Sequence, residues 1–277
     1  MKIFIKKLLL FSLLFAFILI CDICARIAFL NHSQLIVGRN IKTIFVGSSH
    51  FACNINDSLL ASSKNIASAG ERYLFTYIKL KKILDDNPNI TTVFCSCAPL
   101  DVFPHADYYN FDSHIDNFVP RYFPLFSLHE YIVFRNSGRR FITGMFCKYH
   151  SMHHFSPLKY LEAWGGYTKL HGRAKQYAPK KEVTEGTNTI QLEYLQKIIS
   201  LCKERNKKLI MMFTPNQMLD RIYDMDYYYQ IVKSLNVEFV DLHLWGAQHP
   251  EYFYDAGHLN EEGANAFTFD IANNFIN

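Results

Sequence analysis

Lys42-Thr-Ile-Phe-Val46 runs directly into Gly47-Ser48-Ser49-His50, and the fold class depends on how this stretch is read. A short β-prone run closed by a glycine is the pattern of a strand covered on both faces. Further runs of this kind lie at Lys64 to Ala67, Thr91 to Cys97, Lys208 to Phe213 and Val237 to Leu242. Helical patterns separate them. Ser68-Ala-Gly-Glu71 has the S-x-x-E form of a capping box, with Leu74, Ile78, Leu80, Ile83 and Leu84 following at helical spacing up to Asn87-Pro88-Asn89. Thr189 to Asn206 carries an apolar stripe from Ile190 to Cys202, and Leu219 to Leu235 and Asn260 to Phe275 read as helices. Strands alternating with helices predict an α/β fold, with a parallel sheet between two helical layers in a three-layer α/β/α sandwich.

The alternation stops between residues 100 and 186. That stretch is rich in Tyr, Phe and His, holds turn formers such as Asn136-Ser-Gly138 and Trp164-Gly-Gly-Tyr167, and reads as a large aromatic insertion. Its aromatics, among them Tyr108, Tyr109, Trp164 and Tyr167, either pack an irregular subdomain or stack on sugar rings. His150, His153 and His154 read as a polar loop, because no carboxylate or cysteine pattern accompanies them. Neither a metal nor a cofactor is expected.

The first thirty residues differ in kind. Lys2, Lys6 and Lys7 precede an apolar run from Leu8 to Cys21 that continues to Leu30 around Asp22 and Arg26. Ile3 to Arg26 meets the roughly 20-residue requirement of a membrane-spanning helix. Asp22 and Arg26, four apart, share a helical face and can pair. A cleaved signal peptide competes with this reading, but Ile23-Cys24-Ala25 puts a bulky residue where a small one is needed. The expected organisation is an anchor over residues 1–30 and an α/β domain over 31–277. The basic flank places the N-terminus in the cytoplasm and the domain outside it, in the periplasm or at the cell surface.

Composition agrees with a segregated chain. The 277 residues are 49% hydrophobic and 16% aromatic, yet mean hydropathy is only −0.04. A net charge of +4 is too small for a nucleic-acid partner. Seven scattered cysteines give no zinc spacing and no disulfide framework, and Cys95 and Cys97 read as core thiols on one side of a strand.

In open α/β sheets ligands bind at the carboxyl ends of the strands. There the chain places Gly47-Ser48-Ser49, Ser68-Ala-Gly70, Ser96-Cys-Ala-Pro99 and Asp255-Ala-Gly-His258. A serine on a tight strand-to-helix turn is a candidate nucleophile, and D-x-x-H supplies a base with its orienting carboxylate from one loop. Ser49, His258 and Asp255 are therefore the expected catalytic residues. The backbone N–H groups of Ser49 and Gly70 are expected to hold an oxyanion.

These blocks resemble the SGNH/GDSL-like hydrolase superfamily, which has a flavodoxin-like sheet. Gly47-Ser48-Ser49 matches its first block, Gly70 the second-block glycine, and Asp255 with His258 the last block. Leu259-Asn-x-x-Gly-Ala264 follows the last block in the superfamily's manner. The third block departs: Cys95-Ser-Cys-Ala-Pro-Leu-Asp101 has no asparagine, so Ser96 or a backbone N–H would take that donor's place. The resemblance covers about residues 41–101 and 207–277. It implies a serine esterase or O-acyltransferase acting on acyl esters of a surface polysaccharide, at the membrane, with a membrane-bound acyl-transfer partner. The departing block leaves a second possibility, a non-catalytic glycan-binding or scaffold protein on the same fold.

Overall fold

The computed structural model describes residues 2–103, 118–134, 156–174, 189–217 and 224–276. Thr43–Val46 (β1), Ser63–Asn65 (β2), Thr92–Ser96 (β3), Lys208–Phe213 (β4) and Glu238–Asp241 (β5) form one sheet. Its order is β2-β1-β3-β4-β5 and every pairing is parallel. This is the doubly wound order of flavodoxin-like sheets. The helices that matter to it are Lys2–His32 (α1), Ser49–Asn54 (α2), Tyr73–Asp86 (α3), Pro99–Val102 (α4), Leu128–Phe134 (α5), Pro157–Trp164 (α6), Thr189–Glu204 (α7), Met225–Ser234 (α8) and Glu261–Ile271 (α9).

Strand side chains alternate between two cores, one on each face of the sheet. Ile44, Val46, Val93, Cys95, Met211 and Phe213 enter the larger core with α3, α7 and α8. Phe45, Phe94, Ile210 and Met212 enter the smaller one with α2 and α9. Both layers are thus filled, and the α/β/α sandwich is observed. Described parts of the 100–186 stretch join the larger core: the rings of Phe118, Tyr122 and Phe134 lie 4.9, 5.6 and 5.7 Å from that of Phe75. Trp164 is fully buried there. Tyr108, Tyr109, Cys147, His150, His153 and His154 lie outside the described residues.

Two local expectations need correcting. Ser68 and Glu71 do not form a capping box: α3 begins only at Tyr73, whose N–H donates to Gln191 Oε1 at 2.8 Å. Glu71 is instead drawn into the core by Lys79, its oxygens 2.7 and 2.8 Å from Nζ. Strand β2 also ends at Asn65 rather than Ala67. The Asn65 side chain accepts from Ala67 N–H at 3.0 Å and donates to Phe51 O and Ile55 O, both at 2.8 Å, which turns the chain out of the sheet.

Among the described residues one helix, α1, is long and apolar enough to cross a membrane, with a mean hydropathy of 2.7 over an 18-residue window. Its large apolar side chains are exposed from Ile3 to Ile18 and at Ile20, whereas Arg26 and Leu30 are buried by the domain. Phe29 meets Tyr160 of α6 at 5.9 Å, and Arg26 pairs with Asp22 at 3.7 Å. Beyond α1 the chain stays attached, with Leu35 N–H donating to Asp86 Oδ2 at 2.8 Å and Val37 N–H to Asn87 Oδ1 at 3.0 Å.

Candidate active site

Strand β1 delivers Gly47 at its carboxyl end with φ +127°, a conformation that favours glycine. Space demands glycine as well, because a Cβ here would lie 2.0 Å from Ser96 Oγ at the end of β3. The turn can therefore sit directly on Ser96. Ser48 N–H donates to Ser96 Oγ at 3.0 Å, and the chain enters α2 with Ser49 as its first residue. The sequence alone offers Ser96 as an oxyanion donor. The structure engages its hydroxyl oxygen beneath the turn, where it is 1% exposed.

Gly70, φ +73°, lies in the turn after β2. That turn is tied to the first: Ser68 N–H donates to Gly47 O at 3.0 Å, and Glu71 N–H closes back onto Ser68 O at 3.0 Å. Adjacent parallel strands thus set the Gly47 and Gly70 turns side by side.

The loop after β5 brings Asp255 and His258. Asp255 Oδ1 accepts from the N–H groups of Gly257 and His258, both at 2.9 Å, folding the loop into a tight turn. His258 Nδ1 lies 2.9 and 3.0 Å from the two carboxylate oxygens, and Nε2 lies 2.8 Å from Ser49 Oγ. A carboxylate only accepts, so Nδ1 carries the proton and Nε2 accepts from the Ser49 hydroxyl. Burial pushes the Asp255 carboxyl upward. The hydrogen bond and charge of His258 and the two backbone donors outweigh this and hold it below its ordinary value.

The arrangement can deprotonate Ser49 as it attacks, with the developing imidazolium facing a carboxylate. Two residues that hold it carry no sequence signal. Asn54, fully buried on α2, accepts from Leu259 N–H at 2.8 Å and donates to Thr214 Oγ1 at 3.3 Å. His50, next to the candidate nucleophile, lies against His258. Both act across more than 150 residues of chain, so no local spacing reveals them.

Fold and site together define a class: a doubly wound α/β protein with a Ser-His-Asp constellation at the carboxyl end of its sheet. No family profile matches the chain, and no curated protein does. Among solved structures it resembles a Streptococcus pneumonia protein provisionally described as a platelet activating factor. The two share 14% identity and a TM-score of 0.40, over 91% of this chain and 90% of that one. At that distance the chemistry must be read from this chain's own residues.

Proposed function

We propose that this chain is a membrane-anchored SGNH-type serine esterase or O-acyltransferase. The observation that carries the reading is the 2.8 Å contact between Ser49 Oγ and His258 Nε2, with Asp255 behind the imidazole. Ser49 Oγ attacks the acyl carbonyl and its proton passes to His258 Nε2. The tetrahedral oxyanion is held by the N–H groups of Ser49 and Gly70. Collapse breaks the ester bond, and His258 returns the proton to the departing alkoxide, leaving the acyl group on Ser49. Water then releases a free acid, or a sugar hydroxyl accepts the acyl group. Ser96 supports the turn in this mechanism, so both oxyanion donors are backbone groups.

The substrate class we propose is an acyl ester of a surface polysaccharide, outside the cytoplasmic membrane, with a membrane-bound protein as acyl-transfer partner. Support for a retained anchor comes from the docked end of α1. Arg26, Phe29 and Leu30 pack on the domain, and Leu30 belongs to its main core. Cleavage near Ala25 would leave this docked turn as a frayed chain end. Protein purified from membranes in detergent should therefore keep residues 1–30 by intact mass, and loss of that peptide would contradict retention.

The activity is tested by giving the full-length protein a p-nitrophenyl acyl ester, with and without an oligosaccharide acceptor. Release of p-nitrophenol with the acyl group trapped on Ser49 is expected. Partition between water and the acceptor then separates esterase from transferase. Binding of an acylated polysaccharide without any acyl-enzyme would favour the non-catalytic reading, which the missing third-block asparagine motivates.

A further inference from the structure

We propose that His50 is a positioning residue for the base, aligning His258 with Ser49 by holding the loop that carries it. The proposal rests on the triad reading above and adds to it a residue that touches neither substrate nor the attacked carbonyl.

His50 follows Ser49 directly and is only 5% exposed. A buried imidazole needs a partner, and its Nδ1 lies 3.1 Å from Gly257 O. A carbonyl only accepts, so His50 donates from Nδ1 and its tautomer is set. Its ring also lies against that of His258, with centroids 5.4 Å apart and planes 21° apart. The loop is shaped for this contact: a Cβ on Gly257 would come within 3.2 Å of His50 Cε1 and 3.3 Å of Asn216 Nδ2. Glycine between Asp255 and His258 lets the loop settle onto His50.

Helix α2 supplies more than one such hold. His50 and Asn54 are four residues apart and share a helical face. His50 binds the carbonyl just before His258, and Asn54 binds the N–H just after it. The helix whose first residue is Ser49 thus grips both sides of the base, so the Ser49–His258 distance is fixed within one short rigid element. Burial, reinforced by the neighbouring His258, holds the His50 imidazole down to about 4. It is therefore uncharged at neutral pH and does not oppose an imidazolium on His258.

A double-mutant cycle on the full-length protein tests the proposal, read as the rate of Ser49 labelling by a fluorophosphonate probe. His50→Ala should slow labelling about 10- to 100-fold, the cost of a misaligned base. His50→Gln, which keeps a donor, and His50→Phe, which keeps a ring, should each recover part of that rate. In a His258→Ala background the same substitutions should change the residual rate less than about twofold, because their effect passes through His258. Equal losses in both backgrounds, or wild-type labelling in all three His50 variants, would overturn the positioning role. If His50→Ala does not fold, the Gln and Phe variants carry the cycle by the same criteria. The triad reading fails separately, if His258→Ala alone labels at the wild-type rate.

Discussion

His258→Ala is expected to slow acylation of Ser49 by roughly 10⁴- to 10⁶-fold while leaving the fold intact. The size follows from the geometry. Nε2 is the acceptor for the Ser49 proton at 2.8 Å, and without it the hydroxyl must attack while losing that proton to water. The His258 side chain is 25% exposed and lies outside the two hydrophobic cores. Its removal should therefore leave circular dichroism and the unfolding midpoint close to wild type. Asp255→Asn should cost about 10⁴-fold, because an amide can donate to Nδ1 and so favour the tautomer whose Nε2 proton faces the serine. Pre-steady-state p-nitrophenol release measures both variants. A loss below tenfold in His258→Ala would mean that Ser49 does not depend on this base.

The second large effect concerns stability. Lys79 and Glu71 are both inaccessible to solvent and bond each other. Lys79 Nζ also donates to Ile66 O at 2.5 Å and Trp164 O at 3.0 Å. Glu71 accepts from Thr76 Oγ1 at 2.9 Å and Tyr122 OH at 2.8 Å. Burial disfavours both charges, raising the carboxyl and lowering the ammonium, and their mutual attraction opposes it. Lys79→Met leaves the carboxylate buried without its counter-charge and should cost about 3–5 kcal/mol. That is a large share of the roughly 5–15 kcal/mol that holds a typical domain folded. The double variant Glu71→Gln with Lys79→Met should recover much of the loss, since no unpaired charge remains. Urea unfolding of the detergent-solubilised chain measures both, and a loss under 1 kcal/mol in the single variant would contradict the account. Because the pair clamps the end of β2, the start of α3 and the Trp164 backbone, Lys79→Met should also loosen the Gly70 turn.

The same pair explains where the sequence misleads. Ser68-Ala-Gly-Glu71 carries a correct local signature for a helix start, yet Glu71 bonds Lys79, eight residues on, rather than the backbone of Ser68. Leaving the buried Lys79 without its carboxylate would cost about 3–5 kcal/mol, more than a cap worth about 1 kcal/mol. The parallel sheet and its layering are legible because β1, β3 and β4 are apolar on both faces and the helices keep their spacing; the strand order comes from the structure. Ser49, Asp255 and His258 are legible because turn and loop chemistry is local: a glycine at the end of a strand, and a carboxylate three residues before a histidine. Their supports are not. Ser96 under Gly47, Asn54 against Leu259 and His50 against Gly257 are contacts between distant segments, and they leave no periodicity to read. The aromatic insertion is intermediate: its composition marks it, while the burial of Trp164 emerges only from packing against α3 and the end of β2.

The central claim is that Ser49 is a nucleophile activated by His258, and phosphonylation tests it most directly. The folded full-length protein is treated with a fluorophosphonate probe and its peptides are mapped by mass spectrometry. A single adduct on Ser49, absent after denaturation and in Ser49→Ala, is the predicted result. A folded protein that takes no adduct at Ser49, or takes it on Ser48, would contradict the assignment.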